Sequence, residues 1–218
     1  EVNLETGEAQ KLVALGRCKH ECATVHGLED GRVVVYTGDD ESNQFIYKYV
    51  SKNPRDLKEG TLYVADTENG KWISLKREDH EVLQKRFKNQ TEIQIRLREA
   101  AKLVGATPQN RPEDIDIDPI TGAVFVSLTN NSGAGDFHGS ILKIVESSED
   151  KTGIEFIAET FLMGGEANNF SSPDNLAFDP KGNLWFTTDV SGSALGVGEH
   201  ASFLSNALYL VPRSGEKA

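Results

Sequence analysis

Three acidic residues occupy the same place in a repeated sequence pattern. The pattern is PEDIDIDP at residues 112–119, PDNLAFDP at 173–180 and, in a weaker copy, HECATV at 20–25. Its acidic positions are Glu21, Glu113 and Asp174. Three carboxylates sharing a small space would repel one another unless hard cations neutralise them or they take up protons. The pattern therefore predicts a cation site.

Further side chains near these positions could complete such a site. The oxygen donors are Asp39, Asp40, Asp114, Asn130, Asn131 and Asn175, and His20 offers a nitrogen. Calcium takes six to eight oxygen ligands, so this set favours calcium. Asp and Asn also cap turns at the ends of strands, which is the alternative interpretation. Arg111, beside Glu113, is either a simple ion pair or a fork that binds an anion beside the metals.

The elements that must position these residues are short β-strands. Each strong copy of the pattern continues into a second apolar run, GAVFVSLT at residues 122–129 and GNLWFTTD at 182–189. A strand–turn–strand unit that recurs three times along a chain is typical of the blades of a β-propeller. The first strand of each blade lines the central channel, so equivalent positions in different blades converge on one axis. We therefore expect Glu21, Glu113 and Asp174 to meet.

One segment interrupts the β pattern. Residues 78–104 are rich in Leu, Gln, Lys, Arg, Glu and Ala, and their apolar residues recur at helical spacing. Thr91, followed three residues later by Gln94, predicts a capping box, and Gly105 predicts the end of the helix. The expected fold is therefore all-β: a single, incomplete propeller domain over residues 1–218, with a helical insertion at 78–104.

Charge and hydropathy exclude several classes of partner. The chain has 218 residues and a formal net charge of -11, which would repel nucleic acid and anionic lipid. No apolar run approaches the roughly 20 residues that a membrane span needs. We expect a monomer that binds neither nucleic acid nor membrane.

Several motifs, taken together, resemble one family. They are GRCKHE at 16–21, VYTGDD at 35–40, YKYVS at 47–51, GATP at 105–108, RPED at 111–114, VSLTNN at 126–131, SPDNL at 172–176 and NALY at 206–209. In this order they look like the PhoX-type alkaline phosphatases, a bacterial family of secreted β-propeller phosphatases that contain iron and calcium. The resemblance extends over about residues 15–211.

The resemblance implies roles for particular residues. Glu21 and Glu113 would be metal ligands in the channel, and Arg111 would grip the phosphate. Further calcium or iron ligands would be Asp39 and either Asp174 or Asn175. The family's upstream cysteine motif and downstream QHPG segment are not in this sequence, so we expect a fragment that is inactive by itself.

The leading hypothesis is thus a metal-dependent phosphomonoester hydrolase acting on a small phosphate ester. By resemblance it would be periplasmic or extracellular. A calcium-dependent lactonase of the six-bladed propeller type is an alternative, because PDNLAFDP followed by GNLW also resembles that group. It does not account for Arg111. A non-enzymatic propeller scaffold stabilised by calcium is the third possibility.

Overall fold

The computed structural model of this chain describes residues 1–148 and 151–214, which are mainly antiparallel β-strands. The strands are β1 (Thr24–Gly27), β2 (Val33–Gly38), β3 (Ser42–Gln44), β4 (Ile46–Asn53), β5 (Asp56–Asp66), β6 (Lys71–Ser74), β7 (Gln109–Asn110), β8 (Pro112–Ile117), β9 (Val124–Leu128), β10 (Ser140–Glu146), β11 (Phe156–Met163), β12 (Pro173–Phe178), β13 (Leu184–Thr188) and β14 (Leu208–Val211). The α-helices are α1 (Glu81–Arg86), α2 (Gln90–Ile95) and α3 (Leu97–Leu103). None of the helices in these residues has the length and apolar character needed to cross a bilayer.

The strands form three sheets that follow one another along the chain. The first sheet has the order β1-β2-β4-β5-β6, the second β8-β9-β10-β11 and the third β12-β13-β14. Strands β3 and β7 form a separate small ribbon. Up-and-down sheets of this kind are the blades of a propeller, and the described residues form no closed barrel. The prediction of a partial, all-β propeller with a helical insertion is confirmed.

The repeated pattern folds in the same way in the second and third sheets. Ile115 of β8 pairs with Val126 of β9, and Leu176 of β12 pairs with Phe186 of β13. In both sheets the register shifts between the initial proline and the paired residue of the first strand. Such a β-bulge bends the strand and redirects a side chain. The two bulges fall where the pattern has its acidic positions.

The first strands of the three sheets lie side by side and are joined by side chains. The carboxylate of Asp114 accepts a hydrogen bond from the backbone nitrogen of Leu176 at 2.8 Å. In the same way Asp116 accepts one from the backbone nitrogen of Phe178 at 2.7 Å. In the first sheet, the hydroxyl of Thr24 donates to a carbonyl oxygen of β8. Strands β1, β8 and β12 are therefore neighbours, as expected for the inner strands of successive blades.

The helical insertion packs on the first sheet through the residues that the periodicity indicated. Ile93, Leu97 and Ala101 are buried against it. The predicted cap is wrong, because Asn89 is the N-cap of α2 and accepts a hydrogen bond from the backbone nitrogen of Glu92 at 2.9 Å. Asn is the stronger N-cap residue, so the helix begins earlier than the Thr91 prediction placed it.

A buried ion pair joins the first and second sheets. Lys48 and Glu146 have side chains that are 0% and 1% exposed, and their charged atoms lie 2.6 Å apart. The indole nitrogen of Trp72 donates to Glu146 at 2.8 Å, and the hydroxyl of Tyr36 donates to its other oxygen at 2.6 Å. Both carboxylate oxygens therefore have donors, which offsets the cost of removing the charges from water.

Candidate active site

Two of the three acidic positions meet beside an arginine. Glu113 is buried, and its carboxyl group hydrogen-bonds that of Asp174 on the neighbouring sheet. Arg111 donates from Nη2 to Glu113, and from Nε to Asp40 at 2.8 Å. We call Asp40, Arg111, Glu113 and Asp174 the acid–arginine cluster. It lies where the bulged ends of β8 and β12 meet the end of β2.

The surroundings of Glu113 favour the protonated form of its carboxyl group. Burial raises the pKa of Glu113 to about 9, and the hydrogen bond and charge of Asp174 act in the same direction. The charge of Arg111 and the nearby side chain of Thr129 oppose this pKa shift. Two ionised carboxylates in contact would repel, so a proton or a cation must lie between them. The same oxygens suit a hard cation such as calcium.

The backbone at Arg111 has a strained conformation that hydrogen bonds through Thr129 hold in place. Its φ is 55°, in the left-handed region that non-glycine residues seldom occupy. Its carbonyl oxygen accepts a hydrogen bond from the backbone nitrogen of Thr129 at 3.1 Å. The hydroxyl of Thr129 in turn donates to the carbonyl oxygen of Pro173 at 3.0 Å, beside Asp174. Strain held in this way is typical of functional sites, because the surroundings fix one side-chain direction.

The neighbours Asp39 and Asp40 have different partners. The carboxylate of Asp39 is fully buried and accepts hydrogen bonds from Nε and Nη2 of Arg98 in α3, at 2.7 and 2.5 Å. Asp40 is the one that contacts Arg111. From the sequence, Asp39 is an expected metal ligand, whereas no motif indicates a role for Arg98. That pair joins a strand end to a helix far along the chain, and no local pattern indicates it.

Glu21 stands next to the end of β2. Its backbone nitrogen donates to the carbonyl oxygen of Gly38 at 3.3 Å, and its exposed carboxylate has no hydrogen-bond or ion-pair partner among the described residues. The ring of His20 is already held, with Nδ1 3.0 Å from the hydroxyl of Thr37 and Nε2 3.1 Å from the carbonyl oxygen of Gly16. The convergence of Glu21 on one ion with Glu113 and Asp174 stays a prediction.

Asn175 follows Asp174 at the bulge and is exposed. Its backbone nitrogen donates to the hydroxyl of Thr187 at 3.2 Å, and its side chain lies near Asp114. Within residues 1–148 and 151–214, no group of three or more His, Cys, Asp or Glu side chains is arranged to hold a metal ion. The metal ligands expected from the sequence stay predictions: Glu21, Asp39, Glu113, Asp174 and Asn175.

Comparison with known proteins gives a family and a solved structure. The family profile described as Alkaline phosphatase PhoX matches residues 2–210. The structure of Pseudomonas fluorescens PhoX in complex with vanadate, a transition state analogue, is similar at a TM-score of 0.84 and 32% sequence identity. The match covers 92% of this chain and 43% of that one, so the chain spans less than half of its length. That protein has a β-propeller fold. No curated protein matched the chain.

Proposed function

Because the chain belongs to the PhoX alkaline phosphatase family, we propose that it is part of a metal-dependent phosphomonoester hydrolase. The observation that carries this proposal is the acid–arginine cluster, in which Arg111 is held between Asp40 and Glu113 beside Asp174. The substrate would be a small phosphate ester. A relative that binds vanadate, a transition state analogue, supports that class.

Arg111 would bind the phosphoryl group. A guanidinium has five N–H donors, and here Nε and Nη2 contact Asp40 and Glu113. Nη1 makes no hydrogen bond to any residue in the described part of the chain. Its donors are therefore available for phosphoryl oxygens, which a planar fork binds well. Donors fixed before the reaction stabilise the charge that develops in the transition state.

The paired carboxyl groups of Glu113 and Asp174 suit a metal centre as two of its ligands. They would hold the cations together with Glu21, and Asn175 is the further proposed ligand. The oxygen donors fit calcium, while iron is proposed from the family resemblance. When bound, such cations polarise the phosphoryl oxygens and neutralise their developing charge. Because burial favours the protonated form of Glu113, cation binding there would require this carboxyl group to lose its proton.

The other hypotheses explain less of the site. A calcium lactonase or a calcium-stabilised scaffold would account for the repeated strands but not for a strained Arg111 fixed between two acids. We also propose a periplasmic or extracellular location, supported by the family, and a monomer.

The experiment uses the full-length protein that contains this chain. We expect chelation to abolish hydrolysis of a phosphomonoester, and added calcium with iron to restore it. Arg111→Ala should lower kcat/KM by about 100-fold, as loss of one transition-state donor does, and leave the metal content unchanged. Arg32→Ala is the control, because Arg32 pairs with Asp30, at 2.6 Å, and neither residue belongs to the acid–arginine cluster. A wild-type protein without phosphatase activity, or an unchanged Arg111→Ala variant, would contradict the proposal.

A further inference from the structure

The ion pair between Arg98 and Asp39 links the helical insertion to the candidate active site. Arg98 lies in α3 and places Nε and Nη2 on the two carboxylate oxygens of Asp39, at 2.7 and 2.5 Å. This two-point contact fixes the carboxylate in orientation as well as in position. The side chain of Asp39 is fully buried and that of Arg98 is 35% exposed, so the contact is largely removed from water.

Asp39 in turn organises the chain on both sides of the site. The same oxygen that contacts Nη2 of Arg98 accepts a hydrogen bond from the backbone nitrogen of Lys19 at 3.0 Å. The backbone nitrogen of Asp40 donates to the carbonyl oxygen of Lys19, also at 3.0 Å. His20 and Asp39 form a β-bridge. The segment that leads into Glu21 is therefore bound to the segment that carries Asp40.

The helix that supplies Arg98 is itself well anchored. Its neighbours Leu97, Ala100 and Ala101 are all buried against the first sheet. The position of the guanidinium is thereby set by a packed helix rather than by a loop. A side chain held by a packed element can position its partner more narrowly than a side chain on a free loop.

We propose that Arg98 is a positioning residue for phosphate binding. Acting through Asp39, it fixes Asp40, and Asp40 fixes the guanidinium of Arg111. This inference rests on the proposed phosphatase function and adds a role for the helical insertion. It also gives Asp39 a role other than that of a metal ligand, because the oxygens of Asp39 are occupied by donors of the protein itself.

The role requires an arginine rather than any cation. A lysine has a single ammonium group and cannot match the planar fork that spans both oxygens of Asp39. Arg98→Lys therefore keeps the charge and most of the side-chain packing but loses the fixed orientation. This variant tests the inference even if Arg98→Ala folds poorly.

The test compares four single variants and one double variant of the full-length protein: Arg98→Lys, Arg98→Ala, Asp39→Asn, the control Arg86→Ala, and Arg98→Ala with Asp39→Asn. Arg86 belongs to the same helical insertion and contacts Glu99 at its surface, at 2.5 Å. The measurements are kcat, KM, the inhibition constant of inorganic phosphate, the melting temperature and the metal content.

We expect the Arg98 and Asp39 variants to lose about 10- to 100-fold in kcat/KM, as small misplacements of a binding group do. Inorganic phosphate should inhibit them more weakly, their metal content should stay unchanged, and the double variant should be no worse than either single one. Arg86→Ala should match the wild type. If Arg98 only stabilised the fold, its substitution would lower the melting temperature and leave the inhibition constant of phosphate unchanged.

Two results would overturn the inference. One is a normal inhibition constant for phosphate in Arg98→Lys and Arg98→Ala. The other is loss of metal from Asp39→Asn while Arg98→Ala keeps its metal, which would make Asp39 a ligand. Absence of phosphatase activity in the wild type would instead contradict the proposed function itself, so the two failures are distinguishable.

Discussion

Glu146 and Glu113 are two buried glutamates in opposite electrostatic surroundings. Both oxygens of Glu146 accept hydrogen bonds, from Lys48, Trp72 and Tyr36, and these contacts join the first and second sheets. Glu113 has one charged donor, Arg111, and faces the carboxyl group of Asp174. The protein itself supplies the donors and the positive charge that Glu146 needs, so we call Glu146 and its partners the matched site. Glu113 and Asp174 form the unmatched site, because their charges are balanced only if a proton or a cation is present.

The difference separates a structural site from a functional one. A buried carboxylate with a full set of donors has nothing left to offer a ligand, and its removal would leave charged or polar groups unpaired. A buried carboxylate that faces another acid is poorly satisfied by the protein alone. Such an arrangement destabilises the empty site and favours the binding of a cation.

The largest expected effect comes from breaking the matched site. Glu146→Gln should lower the free energy of unfolding by about 3 to 5 kcal/mol, because it leaves the buried charge of Lys48 uncompensated. Denaturant titration measures this change. The control is Glu159→Gln, which removes only the surface partner of Lys143, 2.9 Å away; it should change stability by less than about 1 kcal/mol. Equal losses of stability in the two variants would show that the buried ion pair stabilises the fold no more than a surface pair does.

The corresponding change at the unmatched site should have the opposite pattern. Glu113→Gln should leave the metal-free protein as stable as the wild type or more stable, because it removes the conflict with Asp174. It should also abolish metal binding and reduce phosphatase activity by about 100-fold or more. Denaturant titration, elemental analysis and an activity assay test these points. A large loss of stability without chelation would place Glu113 in the same class as Glu146.

The pH dependence of stability offers a more specific test, in which the change per pH unit is smaller than the effect of Glu146→Gln. In the folded, metal-free chain burial raises the pKa of Glu113 from 4.5 to about 9. Between these values the folded state keeps a proton that the unfolded state has lost, so stability should fall as the pH rises from about 5 to 9. One proton limits the slope to about 1.4 kcal/mol per pH unit. Denaturant titrations across this range should show the slope in the wild type, and Glu113→Gln should flatten it. A stability that rises with pH in both proteins would contradict the assignment.

The sequence predicted the features that repeat or have a period. Register within the pattern placed Glu113 and Asp174 at equivalent positions, where the structure has β-bulges. Helical spacing identified Ile93 and Leu97 as buried residues. Neither the pair of Arg98 with Asp39 nor the contacts of Glu146 could be predicted in the same way. These contacts join elements distant in sequence, and their geometry depends on how sheets and helices pack rather than on local spacing.

The carboxylates that join the inner strands bear on how such a repeat protein can evolve. Asp114 and Asp116 supply acceptors to backbone nitrogens of the following blade. In the aligned copy of the pattern, the position of Asp116 is occupied by Ala177, whose side chain has no hydrogen-bond acceptor. The second and third blades are therefore not interchangeable modules. Exchanging the two blades, or duplicating the third, would leave the backbone nitrogens of Leu176 and Phe178, or of their copies, without these acceptors. The contacts between inner strands therefore constrain the order of the blades.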